Sequence, residues 1–197
     1  MAERRLSPLL VADSIFCAGC GNGIVNRVLA ESLDELNLSN DAIGVAAVGC
    51  TCWMIDTFGI DWIQAPHGRA PATAAGIKRC RPDKTVISYQ GDGDCLSIGM
   101  AETVHAALRG ENLTVVCINN GNFGMTGGQM SPTTTIPGHK TTTCPAGRDP
   151  ARTGQPADIL KILGTMDTTA YLARGTVTDV GSINRLKRYI KKALTYQ

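Results

Sequence analysis

Residues 85–118 read TVISYQGDGDCLSIGMAETVHAALRGENLTVVCI, and this segment has the clearest alternation of strand and helix patterns in the chain. Short runs of β-branched and apolar residues at 85–89 and 113–118 predict two buried strands. Apolar residues at helical spacing predict a helix over 98–109, and Gly110 is suited to end it. A strand, a helix and a strand in this order predict a βαβ unit with parallel strands and a right-handed connection.

The sequence on either side extends this unit to an α/β domain, a parallel sheet with helices on both faces. Apolar residues three and four positions apart predict a helix that begins right after Cys20 and runs to residue 38. The segment 119–156 is rich in Gly, Thr, Pro and Asn without periodicity, which indicates a long binding loop. We also expect strands at 43–48 and 170–177 and helices at 71–79, 158–163 and 183–194.

The composition excludes several classes of function. The 197 residues carry 19 Lys and Arg against 17 Asp and Glu, a net charge of +2, so neither nucleic acid nor a membrane surface is an expected partner. No apolar stretch is long enough to cross a bilayer, and the N-terminus lacks the continuous apolar centre of a secretory signal. We therefore expect a cytoplasmic protein whose eight cysteines are thiols or metal ligands rather than disulfides.

Two polar turns follow the two strands of the βαβ unit and predict a ligand site. Gly91-Asp92-Gly93 and Asn119-Asn120 lie at the carboxyl ends of neighbouring parallel strands, where α/β sheets bind ligands. The glycines let the backbone approach an oxyanion, and the helix start beyond them offers free N–H groups to phosphate. Asp92 would repel phosphate unless a hard divalent cation lay between them, with Asp92 and the Asn120 amide oxygen as ligands. The turns therefore predict Mg²⁺ and a diphosphate.

Three further motifs have more than one interpretation. Cys17 and Cys20 form a CxxC pair at a helix start, which indicates either two ligands of a metal centre or a redox dithiol. His67 lies in a predicted turn, and on the sequence alone a hydrogen bond to the backbone explains it most simply. Residues 124–129 directly follow the predicted cation ligands and form either a plain turn or a loop that closes over the diphosphate and excludes water.

These motifs resemble a known family in their order and spacing. Gly91-Asp92-Gly93-Asp94 followed by Asn119-Asn120 resembles the thiamine-diphosphate motif. The motifs FCAGCGNG, VGCTC, APHGRAPATAAGIKR, YQGDGDCLSIGMAE and GMTGGQMSPTT together resemble the β subunit of the 2-oxoacid:ferredoxin oxidoreductases. Within that family the chain most resembles the 2-ketoisovalerate (branched-chain) type, with the 2-oxoglutarate type as the near relative.

The resemblance implies oxidative decarboxylation of a 2-oxoacid to acyl-CoA and CO₂, with electrons passed through a [4Fe–4S] cluster to ferredoxin. It implies thiamine diphosphate and Mg²⁺ as cofactors. It also implies α- and γ-type partner subunits that carry an activating glutamate, the coenzyme A site and further clusters, so that the chain alone is inactive.

Three alternatives stay open beside this interpretation. The first is the 2-oxoglutarate or pyruvate type of the same family. The second is a non-redox thiamine-diphosphate decarboxylase or lyase subunit, in which the cysteine pair is structural or binds zinc. The third is a zinc-binding interaction protein, which leaves the paired GDG and NN turns unexplained.

The resemblance also assigns roles to individual residues. Asp92, the Asn120 side chain and the Asn122 carbonyl would bind Mg²⁺. His67 and Arg69 would lie at the thiamine pocket, where they orient the substrate carboxylate or assist proton transfer. The cofactor site as a whole would comprise Gly49, Cys50, His67, Gly91, Asp92, Gly93, Asp94, Asn120, Asn122, Gly124, Met125 and Thr126.

The same resemblance assigns Cys17, Cys20 and Cys50 to the [4Fe–4S] cluster. In the family a fourth cysteine follows in a C-terminal segment, and this sequence ends at Gln197 before any counterpart of it. We therefore expect residues 1–197 to be a single cofactor-binding domain that lacks a C-terminal segment, with the fourth ligand outside this chain. The alternative is that Cys52 or Cys144 substitutes as the fourth ligand.

Overall fold

A computed structural model describes residues 6–135 and 138–196, and its centre is a parallel sheet of four strands. The strand order is β2-β1-β3-β4, and each of the three pairings is parallel, which confirms the predicted α/β class. The two central strands, β1 and β3, are almost entirely buried. The strands span β1 (Ala42–Ala46), β2 (Asp61–Gln64), β3 (Thr85–Gly91) and β4 (Thr114–Ile118).

Helices cover both faces of the sheet, as predicted. Successive side chains of β3 point to opposite faces, so Ile87 and Tyr89 pack on one side and Val86 on the other. The first side is covered by α1 and α6, and the second by α2, which in turn contacts α3. Each fully buried large apolar side chain stabilises these layers by roughly 1.5–3 kcal/mol. The helices are α1 (Asn22–Glu35), α2 (Ala70–Cys80), α3 (Met100–Leu108), α4 (Pro150–Thr153), α5 (Ile159–Leu163) and α6 (Val180–Leu194).

The predicted unit of β3, α3 and β4 is present and positions the two polar turns. Gly91, the last residue of β3, pairs with Ile118, the last residue of β4. The chain therefore leaves the sheet at the same level after both strands, with Asp92 and Asn119 as the next residues. Between β3 and α3 the segment Asp94–Ile98 forms one π-helical turn, a conformation that is frequent at functional sites.

The strand predicted at residues 170–177 is wrong. These residues, all within the described part of the chain, form no strand. The Tyr171 ring stacks on the Tyr196 ring with 5.6 Å between the ring centroids, and Val177 packs on the cluster of α1 and α6. The apolar side chains of this segment therefore serve to pack it along α6, and tertiary contacts override its strand propensity.

Several short elements were not predicted from the sequence, among them α4 within the loop predicted at 119–156. β2 is a short edge strand whose residues are mostly exposed, so it lacks an apolar pattern. A 3-10 helix, Cys50–Asp56, follows β1, and the loop predicted at 119–156 contains the hairpin β5 (Asn122–Phe123) and β6 (Gln129–Met130). Across the described residues, every helix is too short or too polar to cross a membrane.

Candidate functional site

A cavity of about 100 Å³ opens at the carboxyl edge of the sheet, beside the ends of β3 and β4. The structure brings together here all twelve residues predicted for the cofactor site, and adds others from α1 and the strand ends. Ligand pockets commonly enclose about 300–1,000 Å³, so this cavity suits one end of a larger cofactor. Its lining comprises Asn22, Val48, Gly49, Cys50, Thr51, His67, Gly91, Asp92, Gly93, Asp94, Ile118, Asn120, Asn122, Phe123, Gly124, Met125 and Thr126.

Asp92 lines the cavity and is fully buried. Its Oδ2 accepts hydrogen bonds from Ser131 Oγ at 2.5 Å and from Thr133 Oγ1. Its Oδ1 is also buried and has no hydrogen-bond partner within residues 6–135 and 138–196. A buried carboxylate oxygen without a partner is costly. Asp92 therefore presents one oxygen that requires a cation or a donor to occupy the cavity.

Asn120 and Asn122 contribute neutral oxygens beside this carboxylate. The backbone N–H of Asn122 donates to Asn120 Oδ1 at 3.2 Å, which holds the Asn120 side chain in the turn after β4. Both residues line the cavity with Asp92. One carboxylate, amide or carbonyl oxygens and a phosphate match the ligand preference of Mg²⁺. The donor set therefore fits the predicted cation.

Asp94 has a different role from Asp92, because its oxygens already have protein partners. Oδ1 accepts from the Gly68 backbone N–H at 2.7 Å and contacts His67 Nδ1, while Oδ2 accepts from Gln90 Nε2 at 2.6 Å. An ionised carboxylate only accepts hydrogen bonds, so the proton of this pair lies on Nδ1 of His67. Asp94 therefore orients the His67 ring, and His67 itself lines the cavity.

Arg69 is the predicted site residue that the structure does not bring to the cavity. Its guanidinium forms an ion pair with Glu102 of α3 at 2.8 Å and donates to the Ile98 carbonyl at 3.4 Å. Arg69 immediately precedes α2, and these contacts fasten the start of that helix to α3. In this arrangement Arg69 supports the loop that carries His67.

Of the three cysteines assigned to the cluster, only Cys50 lines the cavity. Cys17 and Cys20 are exposed, whereas Cys50 begins the 3-10 helix and lines the cavity. Burial raises the pKa of the Cys50 thiol, and the charges of Cys17 and Cys20 raise it further. Asn22 links them to the cavity, because its Nδ2 donates to Cys20 Sγ at 3.8 Å.

The thiols do not form a closed site for a single metal ion. Within the described ranges, no group of three or more His, Cys, Asp or Glu side chains is close enough to hold one ion. A [4Fe–4S] cluster is wider than an ion, and its thiolate ligands bind separate iron atoms. Three thiols, two of them exposed, are the type of ligand that such a cluster binds.

Cys52 and Cys144, the two alternatives for the fourth cluster ligand, have other surroundings. Cys144 Sγ donates to the Gly147 carbonyl at 2.8 Å in the loop after β6. Burial raises the pKa of Cys52, and Asp56 adds to this effect. Of the other cysteines, Cys95 is buried and Cys80 is exposed.

The loop at 131–134 and Arg148 are functional candidates that the sequence analysis missed. Arg148 is buried, and its guanidinium donates to the carbonyls of Ser131 at 2.7 Å, Pro132 at 3.0 Å and Thr134 at 2.7 Å. This brings the hydroxyls of Ser131 and Thr133 against Asp92. The run SPTT was a signal in the quoted motif, but its partner carboxylate is about forty residues away in sequence, and contacts at that separation follow only from the fold.

The chain is similar to known proteins over most of its length. Residues 47–197 match the family described as thiamine pyrophosphate enzyme, C-terminal TPP binding domain. The ketoisovalerate oxidoreductase subunit VorA of Methanothermobacter thermautotrophicus is 44% identical over 182 residues, which are 92% of this chain and 38% of VorA. The 2-oxoglutarate synthase subunit KorB of Methanocaldococcus jannaschii is 41% identical over 180 residues, which are 90% of this chain and 64% of KorB.

A solved structure shares the fold. The 2-oxoglutarate:ferredoxin oxidoreductase from Magnetococcus marinus, with 2-oxoglutarate, coenzyme A and succinyl-CoA bound, superposes with a TM-score of 0.83 at 30% identity. The match covers 94% of this chain and 61% of that one. These similarities confirm the resemblance inferred from the sequence motifs. The chain spans between about two fifths and two thirds of the length of these relatives.

Proposed function

Because this chain belongs to the TPP-binding domain family of the thiamine pyrophosphate enzymes, we propose that it holds the diphosphate end of that cofactor through Mg²⁺. The observation that carries the proposal is the buried Oδ1 of Asp92, which has no hydrogen-bond partner in the part of the chain described, in a residue that lines the cavity together with Asn120. Asp92 Oδ1, the Asn120 amide oxygen and the Asn122 carbonyl would be the protein ligands of Mg²⁺.

The glycines would bring the backbone to the diphosphate. A Cβ on Gly91 would meet no atom of the described residues within 4 Å, so open space lies next to this backbone. A Cβ on Gly93 would lie 2.4 Å from the Phe123 ring, so Gly93 allows β5 to approach the turn. The exposed residues Met125 and Thr126 follow β5 and would cover the diphosphate against water.

We further propose the oxidative decarboxylation of a 2-oxoacid to acyl-CoA as the reaction of the whole enzyme, with ferredoxin as electron acceptor. The names of the relatives favour a branched-chain 2-oxoacid first and 2-oxoglutarate second. When bound, thiamine diphosphate supplies the nucleophilic carbon that the decarboxylation requires. His67, which is held by Asp94 and lines the cavity, would bind the substrate carboxylate or move a proton there. Arg69 could join it only after releasing Glu102.

Cys17, Cys20 and Cys50 would provide three ligands of a [4Fe–4S] cluster, with the fourth from outside the described residues. The small cavity and the exposed thiols favour a site that partner subunits complete. A non-redox decarboxylase or lyase would keep the oxygen ligands and have no need of the cysteines. Iron, sulfide and thiamine assays on the complex purified without oxygen separate these two functions, because thiamine without iron supports the non-redox one.

The central test is Asp92→Ala in the complex purified with its partner subunits. Loss of the charged ligand should weaken Mg²⁺-dependent thiamine diphosphate binding by about a hundredfold or more, measured by titration calorimetry. Asp167→Ala, at an exposed carboxylate outside the cavity lining, serves as the matched control and should bind as the wild type does. Unchanged cofactor affinity in Asp92→Ala would refute the proposed function.

A further inference from the structure

We propose that Ser131 and Thr133 select the cation at this site by allowing Asp92 to offer one oxygen, which favours Mg²⁺ over Ca²⁺. The inference rests on the proposed function, since it concerns the cation that would bridge Asp92 and the diphosphate. We call the two hydroxyl groups of Ser131 and Thr133 the hydroxyl clamp.

The clamp saturates one of the two carboxylate oxygens of Asp92. Each carboxylate oxygen accepts about two hydrogen bonds. Ser131 Oγ at 2.5 Å and Thr133 Oγ1 both donate to Oδ2, so that oxygen has no capacity left. Oδ1, by contrast, has no partner among residues 6–135 and 138–196. A cation that enters the cavity therefore meets one free oxygen of a fully buried carboxylate.

A carboxylate restricted to one oxygen discriminates between the two common hard cations. Ca²⁺ takes six to eight oxygen ligands, often with both oxygens of one carboxylate. Mg²⁺ requires a nearly ideal octahedron and is usually bound by single oxygens of carboxylates together with water and phosphate. With Oδ2 engaged, Ca²⁺ loses a ligand that it would otherwise gain, whereas Mg²⁺ loses none.

The clamp is held in place from two sides, so it cannot follow Asp92 if that side chain rotates towards a larger ion. Buried Arg148 donates to the carbonyls of Ser131 and Thr134. Thr134 Oγ1 donates to the Gly121 carbonyl at 2.6 Å, between the proposed ligands Asn120 and Asn122. The same side chain accepts from the Ser131 backbone N–H at 2.9 Å. The clamp and the amide ligands are thus parts of one hydrogen-bonded unit.

The test uses the complex with its partner subunits after removal of cofactor and metal by a chelator. Titration calorimetry measures the apparent dissociation constant of thiamine diphosphate at saturating Mg²⁺ and at saturating Ca²⁺. The ratio of the Ca²⁺ value to the Mg²⁺ value is the readout. We expect this ratio to fall about threefold in Thr133→Val and about tenfold in the double variant Ser131→Ala with Thr133→Val, because Oδ2 becomes available to Ca²⁺.

Two control variants separate selectivity from a loss of packing. Thr133→Ser keeps the hydroxyl and should keep the wild-type ratio. Thr141→Val removes another buried hydroxyl of the same region, one without a hydrogen-bond partner in the described part of the chain, and should also keep it. If the double variant does not fold, Thr133→Val alone decides the question.

An unchanged ratio in Thr133→Val and the double variant, including equal weakening with both cations, would overturn the inference, and the hydroxyls would then only satisfy a buried carboxylate. Such a result leaves the proposed function intact, because the wild type would still bind the cofactor with Mg²⁺. Absence of cofactor binding to the wild type with either cation would instead overturn the proposed function, and the inference with it.

Discussion

The proposed oxygen ligands line the cavity, whereas of the three cysteines only Cys50 does, and the surroundings of the two sets are opposite. Asp92 is fully buried and linked through Ser131 and Thr133 to a network that ends on Arg148. Cys17 and Cys20 are exposed in the segment before α1. The oxygen site is therefore built by this fold alone, whereas the thiol side is open. Binding of the cation and transfer of electrons should accordingly be separable by mutation.

The largest effect that tests this separation is expected in Cys17→Ser. The variant should lose one [4Fe–4S] cluster per copy of the chain, because a serine oxygen is a poor substitute for a thiolate ligand. Thiamine diphosphate affinity should stay within about twofold of the wild type, since Cys17 does not line the cavity. Iron and sulfide assays and calorimetry on the same complex measure both quantities.

Cys80→Ser is the matched control for this variant, since Cys80 is also an exposed thiol but ends α2. It should keep the full iron content. A wild-type iron content in Cys17→Ser would remove Cys17 from the ligand set, and a parallel loss of cofactor would show that the two sites are not separable.

An intermediate effect is expected from alanine at the two glycines of the oxygen site. Gly93→Ala places a Cβ 2.4 Å from the Phe123 ring, and such overpacking should destabilise the fold by about 1–3 kcal/mol. Gly91→Ala adds its Cβ to space that is empty of described protein atoms within 4 Å, so stability should be retained. Thermal melting of the complex without cofactor should distinguish the two variants.

Cofactor affinity distinguishes the same two glycine variants in a second way. Gly91→Ala should weaken thiamine diphosphate binding by about tenfold or more, because the methyl group would occupy space that the diphosphate needs. If Gly91→Ala bound the cofactor with wild-type affinity, the diphosphate would not approach β3 at this turn.

The smallest effect lies outside both regions, where α6 packs on α1. Lys187 forms a hydrogen bond with Glu35 and so lowers the pKa of this carboxyl below its ordinary value. A lowered pKa contributes stability that is complete above the ordinary carboxyl range and is lost as the pH falls through that range to the folded value. Because Glu35 is largely exposed, the contribution should be below about 1 kcal/mol.

Glu35→Gln tests this contribution by thermal melting of the complex at pH 7 and pH 4. The wild type should melt slightly higher than the variant at pH 7, and the difference should be smaller at pH 4, because the pH has then fallen below the ordinary carboxyl pKa. Cofactor affinity and iron content should not change. A difference in melting temperature that is as large at pH 4 as at pH 7 would mean that the pair does not act through the charge of Glu35.

Much of the fold was predictable because its patterns are local. The βαβ unit of β3, α3 and β4 combines continuous apolar strands with a helical period, and each pattern depends on neighbouring residues. The prediction failed at residues 170–177, where aromatic and β-branched residues pack on α6 instead of pairing as a strand. It missed β2, because an exposed edge strand has no apolar pattern to detect.

The features of the candidate site likewise fall into those that the sequence predicted and those that only the structure shows. The sequence by itself determined the parallel α/β class, which follows from local patterns, and the family resemblance, which implied the twelve residues that gather at the cavity. The tertiary structure alone decided that Arg69 turns to Glu102, that Asp94 orients His67, and that the hydroxyl clamp engages Asp92. These contacts join residues from about thirty to forty positions apart, and their geometry depends on how the loops close over the sheet.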